Sequence, residues 1–370
     1  MVLSSAKIGG WFREPLRSLE TIQVEGDITT SLEALPAACP NLRGLHWRTW
    51  RFFDPFDFVI GTSTSILWTT ITDIHINVTV GGAAALLELC SSLLSAFLVV
   101  PAINDSTVLS QSPTDTIDHE MPSPRSIQAP RLRALTIDTK HKYQCWSKKK
   151  PLANMCTLLR AVCAPSLTSL SLLAAAKQSL HLYDAQSSDK SELSDSVLAL
   201  FETSPMICSF RVEGVPMTDS DLLTVLRKQP HLTNLILGEA SLDLDDEESP
   251  LENHLVTDNL LNALTLTQAE ETGSISSLSL IAPKLRHIEV KAHFDWDFDV
   301  MEDMLESRQG TLESAHIRTA YPLQSLDLQH IQALDIAIRI FVGEYKRNSS
   351  LGVYDDRHDG AREVLGYNSI

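Results

Sequence analysis

Short apolar alternations recur along the 370-residue chain at regular intervals. Six segments read Pro-x-Φ-x-x-Φ-x-Φ, where Φ is apolar: Pro40–Trp47, Pro130–Ile137, Pro165–Leu172, Pro205–Val212, Pro230–Leu237 and Pro283–Val290. Four more, Leu19–Val24, Ile71–Ile76, Leu94–Val99 and Leu312–Ile317, keep the Φ-x-x-Φ-x-Φ core without the proline. The final Φ falls at 24, 47, 76, 99, 137, 172, 212, 237, 290 and 317, so most steps are 23 to 40 residues, and the step of 53 leaves room for a degenerate turn. Proline cannot continue a helix and biases its predecessor toward extended backbone, so it ends one element and opens the next. The Φ-x-Φ tail has period two, which places both apolar side chains on one face of a strand. Helical patterns precede many copies, as in Ser31–Cys39, Leu152–Cys163, Ser196–Glu202 and Thr218–Gln229. Thr218 and Thr257 each lead an acidic-then-apolar run and are candidate N-caps.

A helix followed by a short strand, repeated about ten times, predicts an α/β leucine-rich-repeat solenoid: a curved parallel sheet with helices on its convex side. The solenoid is expected over 16–341, after an N-terminal stub at 1–15. Residues 101–129, rich in Pro, Ser, Asp and Thr without periodicity, read as a mobile insertion, and Ser187–Asp195 and Leu242–Glu252 as shorter polar loops. A helix is expected over about 325–341, followed by a polar, disordered tail at 342–370. From Val80 to Ile103 the only charge is Glu88, and the length approaches the ~20 residues of a membrane span. Repeat spacing instead splits it into a helix over 82–92 and a strand over 94–99, and no membrane association is expected.

Composition narrows the function. Thirty basic against 47 acidic side chains give a formal charge of −17, which repels phosphate backbones and makes general nucleic-acid binding an unfavourable reading. Leucine is abundant at 54 residues while glycine numbers only 15, against folds that use glycines to cradle phosphates. Cys39, Cys90, Cys145, Cys156, Cys163 and Cys208 show no CxxC spacing and read as reduced, mostly buried thiols. Residues 1–10 carry no apolar stretch long enough for a signal peptide, so a cytoplasmic or nuclear location is expected.

No G-x-S-x-G, G-x-x-x-x-G-K-[ST], H-E-x-x-H or G-x-G-x-x-G occurs, and no catalytic residue, cofactor or metal is expected. The repeat register is more informative. The middle residue of each Φ-x-Φ, and the residue after it, belong to the open face of the sheet. Partner-binding candidates there are His46, Arg48, His75, Asn77, Arg211, Glu213, Glu289, Lys291, His316 and Arg318, and the strand ending at 99 contributes Leu98 and Val100. His46 and His75 are expected as ladder neighbours flanked by Arg48 and Asn77. Two readings remain for this face: a solvated surface, or a surface that binds a protein. A basic loop at 140–150, with Lys140, Lys142, Tyr143, Trp146, Lys148, Lys149 and Lys150, is either a solvated edge loop or a stacking platform.

The Pro-x-Leu-x-x-Leu-x-Leu units, together with Val256–Leu264, Ala282–Val290 and Phe298–Arg308, resemble the leucine-rich regions of the F-box-like proteins of mushroom-forming fungi. The resemblance spans about 15–320. It implies a non-enzymatic protein-interaction module that recognises substrates for a cullin-type ubiquitin ligase. The Leu-Pro-x-Glu opening of an F-box, which docks the ligase adaptor, is not found. The alternative is a stand-alone leucine-rich-repeat scaffold or inhibitor.

Overall fold

A computed structural model describes residues 2–4, 17–25, 39–48, 65–100, 126–139, 152–174, 187–215, 217–239, 255–266, 281–292, 297–319, 330–331, 333–342 and 362–365. The architecture is α/β, built on parallel strands alternating with helices, and the chain divides into two compact units. The first comprises Met1–Ser171 with Asp195–Met206, the second Leu172–Ser194 with Ile207–Ile370.

In the first unit, β1 (Val2–Ser4), β2 (Thr21–Glu25), β3 (Gly44–Arg48), β4 (Asp73–Asn77), β5 (Ser95–Val99) and β7 (Ala134–Asp138) are successive parallel neighbours. A separate two-strand pair joins β6 (Ile127–Gln128) to β8 (Val162–Cys163). The helices are α1 (Ser65–Thr70), α2 (Val80–Leu89) and α3 (Ala153–Ala161). The boundary between units falls inside β9 (Ser169–Leu173) and again inside α4 (Ser187–Thr203). In the second unit, β10 (Ser209–Glu213), β11 (Asn234–Gly238), β12 (His287–Ala292), β13 (Ser314–Thr319) and β14 (Ala337–Val342) run parallel, and β15 (Arg362–Leu365) closes the order antiparallel to β14. Its helices are α5 (Asp219–Arg227), α6 (Asp258–Leu264) and α7 (Phe298–Ser307).

Within each unit the core lies between one sheet face and the helices. Leu45, Trp47, Ile76, Leu98, Leu135 and Ile137 are buried in the first unit, with Leu86, Leu87, Leu158 and Leu159 from its helices. Phe210, Val212, Leu235, Leu237, Ile288, Val290 and Ile317 do the same in the second, with Leu222, Leu226, Leu260, Leu264 and Leu305. Each such side chain contributes about 2 kcal/mol by leaving water. The intervening strand residues stay partly exposed, so the second sheet face carries no covering layer among the described residues.

The prolines have a more specific role than ending helices. Leu42, Leu132, Leu167, Leu232 and Leu285 donate their N–H to the carbonyls of Cys39, Ala129, Ala164, Gln229 and Ala282 at 2.9 to 3.2 Å. Proline is the second residue of each of these four-residue turns, where its fixed φ is already correct. The two N–H groups entering the next strand then share one carbonyl of the preceding repeat. Arg43 and Gly44 bond to Glu20, Thr72 and Asp73 to Arg43, and Thr233 and Asn234 to Cys208, at 2.8 to 3.0 Å.

Helix caps repeat in the same manner. The Thr218 hydroxyl accepts from Asp221 N–H in a reciprocal capping box, and Thr257 caps α6 through Leu260 N–H. Asp219 accepts from Thr257 and Asn259, each at 2.9 Å, and Asp258 from the Asp297 N–H at 3.1 Å, tying the starts of consecutive helices.

All ten expected strands form, but several expectations need correction. Leu93, not Leu94, occupies the turn position equivalent to Leu42, through its bond to Cys90 O at 2.9 Å. Hence Leu98 and Val100 are buried at 0% exposure, and Phe97 takes the open-face position between His75 and Thr136. A continuous Phe97–Val100 apolar run cannot fix its own parity, and a one-residue slip exchanges the two faces. The segment expected as a helix over 325–341 instead supplies β14, whose Ile338 and Ile340 are buried. Residues 187–195, expected as a loop, open α4, since a polar sequence can form exposed helix turns once its later residues are anchored in a core. Across the long step between repeats β11 pairs directly with β12, so no strand is inserted between them in the sheet. The stub contains β1 and the tail contains β15. The segment 80–103 does split, into α2 and β5, and among the described residues no helix is long and apolar enough to cross a membrane. Residues 101–125, most of Ser31–Cys39 and Leu242–Glu252 lie outside the described residues.

The motif residue Arg308 is a buried tie in the second unit, at 0% exposure. Its Nε donates to Leu264 O at 2.6 Å, Nη1 to Ala282 O at 3.0 Å and Nη2 to Ile281 O at 2.9 Å. Burial pushes its pKa down to about 10, which leaves the guanidinium charged at neutral pH. The carbonyl of Ala282 also belongs to a residue with φ of 46°, a left-handed conformation that costs an L-residue about 1 kcal/mol. Arg308→Ala removes three charge-assisted bonds and takes the guanidinium donor away from the buried Leu264 and Ile281 carbonyls, a loss of about 3 kcal/mol or more. Arg308→Lys recovers little of it, because an ammonium cannot span three divergent acceptors. Urea unfolding midpoints read both effects.

Candidate functional site

The open face of the sheet is described for each unit by itself. In the first, β3 and β4 place His46 directly opposite His75, with ring centroids 5.8 Å apart, and Phe97 follows at 4.2 Å from His75. The expected histidine neighbours are therefore adjacent, and the row they start is aromatic. Asn77 sits opposite Val99. Arg48 ends β3, and its side chain lies outside the described residues. Among the described residues no group of three potential metal ligands comes together.

In the second unit the register aligns Arg211, Ile236, Glu289, His316 and Arg339 in one row. Glu213, Gly238, Lys291, Arg318 and Phe341 form the next. Lys291 Nζ donates to Glu213 Oε1 and reaches Glu289 Oε1, both at 3.0 Å, while Arg211 Nη2 donates to the same Glu213 oxygen at 2.9 Å. Arg318 lies over the Phe341 ring at 5.2 Å from its centroid, a cation–π contact.

Glu213 and Lys291 belong to strands separated by β11, so about 10 Å of sheet lies between their backbones. They meet because the intervening position is Gly238. A Cβ there would stand 2.8 Å from Glu213 Cγ, inside the path of the side chain. Glycine is thus required by the close approach of a neighbouring side chain.

These two charges lie deeper than the sequence reading put them. Glu213 is 4% exposed and Lys291 9%, and the chain leaving the strands continues to bond along the row. Ala174 N–H donates to Glu213 O at 2.9 Å, Gly214 N–H to Gly238 O at 2.8 Å and Glu239 N–H to Lys291 O at 2.9 Å. Burial alone would raise the Glu213 carboxyl, but Lys291 and Arg211, by charge and hydrogen bond, outweigh it and hold it down to about 2. His316 is lowered, first by burial and then by Arg339, Arg318 and His287 against the opposing pull of Glu289, so it is neutral at pH 7. The outcome is a polar surface in which His316 and Arg318 on β13 and Arg339 on β14 continue one side of a locked Glu213–Lys291 centre.

Arg339 and Phe341 were missed from the sequence. The alternation Ile338-Arg339-Ile340 was the available signal for both, masked by an aspartate, Asp335, at the first apolar position of that repeat. The basic-loop candidates Lys140, Lys142, Tyr143, Trp146, Lys148, Lys149 and Lys150 lie outside the described residues. Among the described residues Cys39, Cys90, Cys156, Cys163 and Cys208 form no disulfide, and burial pushes the Cys90 thiol up to about 12, away from reactivity. No family model matches the chain, and no curated protein matches it.

Two measurements probe this centre. Gly238→Ala drives Glu213 off Lys291 and lowers stability by about 1–3 kcal/mol, an overpacking cost read from denaturant midpoints. Glu213 has a folded pKa near 2 against an ordinary 4.5, so its stabilisation is complete above about pH 4.5 and is lost as pH falls toward 2. Glu213→Gln should flatten the stability–pH curve across that window while leaving Lys291 underpaired and the neutral-pH stability reduced.

Proposed function

We propose that the chain is a leucine-rich-repeat solenoid that recognises a protein partner through its open sheet face. The observation that carries this reading is the face of β10–β14 that no other described element covers, where the ladder register aligns Arg211, Glu289, His316 and Arg339 in one row and Lys291 and Arg318 in the next. Such a face offers a partner several directional charges on rigid backbone, with little ordering left to be done on binding. Across the two rows, four permanent cations face two carboxylates within a chain of net charge −17, which favours an acidic partner surface. The buried Glu213–Lys291 pair fixes the floor, while Arg318 and Arg339 supply donors above it. No chemical step is assigned to this face, and none is required by the reading. By resemblance alone, we place the partner's role as a substrate delivered to a cullin-type ubiquitin ligase.

A photo-crosslinking residue at His316 tests the face against one at Thr224, which is exposed on α5. Adducts with a protein partner are expected from position 316 and are expected to weaken on Arg318→Glu. Adducts from position 224 alone would overturn the assignment of the face. Co-precipitation with the ligase adaptor tests the ligase role separately: a loss of capture at physiological salt leaves recognition intact and removes the ligase.

A further inference from the structure

A groove of about 600 Å³ runs along the strand-entry edge of the first unit, and among the described residues its lining includes Arg43, Arg131 and Arg133 but no acidic side chain. Its position follows from the repeat. Thr72 N–H bonds to Arg43 O, Leu94 N–H to Thr72 O and Arg133 N–H to Leu94 O, so Arg43, Thr72, Leu94 and Arg133 form one row across β3, β4, β5 and β7. Three strand spacings separate the two end arginines, about 14 Å at about 4.8 Å per strand. Arg131, next to Pro130, overlooks the same groove.

The second unit carries the same repeat position in a closed form. Arg286, also third after its proline, pairs with Glu313 on the next repeat at 3.1 Å. Its equivalents Arg43 and Arg133, and the nearby Arg131, make no ion pair among the described residues, although the chain holds 47 carboxylates. The next-repeat neighbours of Arg43 and Arg133 are Thr72 and Thr168, which cannot neutralise a guanidinium, and Glu20, on the repeat before Arg43, meets it through the backbone without an ion pair among the described residues.

We propose that this groove binds an acidic peptide segment of a protein partner, lying across the strand ends with two carboxylates on Arg43 and Arg133. An extended peptide advances about 3.3 Å per residue, so residues i and i+4 match the separation of the two arginines. The partly exposed Leu94 lies between them and accepts an apolar side chain at i+2. The recognised pattern is therefore acidic-x-apolar-x-acidic. One inorganic phosphate cannot meet both ends of such a row. A nucleic acid would find no aromatic side chain in the lining and would feel the repulsion of a strongly acidic chain. Guanidinium forks suit carboxylates through paired N–H bonds, which gives the contact its geometry.

Fluorescence anisotropy with a labelled Glu-Ala-Leu-Ala-Glu peptide, flanked by Gly-Ser and titrated with the full chain, tests the assignment. Saturable binding that weakens with salt is expected, with about tenfold loss on the double substitution Arg43→Gln/Arg133→Gln. Arg286→Gln, at the closed equivalent, should leave it unchanged. Circular dichroism confirms that these exposed substitutions preserve the fold. Equal binding of a peptide with only one glutamate, full displacement by millimolar inorganic phosphate, or tighter binding of oligothymidylate would each overturn the proposal. These readouts concern the turn edge alone, so they are independent of the open-face reading.

Discussion

The structure depends on one backbone constraint: at the entrances of eight strands, β3, β4, β5, β7, β9, β11, β12 and β13, a single carbonyl accepts two consecutive N–H groups from the following repeat. This shared acceptor sets the height at which each of these strands joins its neighbour, and the turn before it sets the direction of approach. Thr168 and Ser169 meet Arg133 in this way, Arg286 and His287 meet Thr233, and Glu313 and Ser314 meet Arg286. Once the entrance is fixed, the two-residue pleat determines which side chains reach the core and which line the open face. Loops of very different length can then separate the repeats without altering the register, as the long passage between β11 and β12 shows.

Charge is placed within this lattice at considerable cost, and it specifies local geometry. An ion pair removed from water forfeits hydration that its mutual attraction only partly returns. Glu213 and Lys291 are bound to each other across a strand, which demands a glycine between them and leaves each cation or anion a single productive partner set. Arg308 is solvated entirely by backbone carbonyls, and so it measures the positions of Leu264, Ile281 and Ala282 at once. In both cases burial makes misplacement expensive, so these polar groups define conformations that apolar packing alone would leave loosely determined. The exposed Arg286–Glu313 pair has a different character, since water screens it and little stability rests on it.

Much of the fold was legible because its instructions are local. Proline followed by spaced leucines encodes turn, entrance and strand within eight residues, and threonine before aspartate encodes a helix start. The neighbouring histidines His46 and His75 could be paired in advance because both occupy the same repeat position. Legibility failed where local signals were degenerate. Phe97 and Leu98 exchanged faces because four apolar residues in succession carry no parity, and β14 was obscured by Asp335 where a leucine was anticipated. The candidate site was readable as a list of facing residues but not as an arrangement, since ion pairing across Gly238 joins residues 78 positions apart.

The amino-acid sequence by itself determined the repeat, the alternation of helix and strand, and the set of side chains available to each face, because turn chemistry and pleat periodicity act over a few residues. Tertiary structure alone decided which of those side chains became buried partners. Whether Glu213 is locked or Arg43 left open depends on what a neighbouring repeat places opposite it, and that neighbour is chosen by backbone hydrogen bonds between segments distant in the chain.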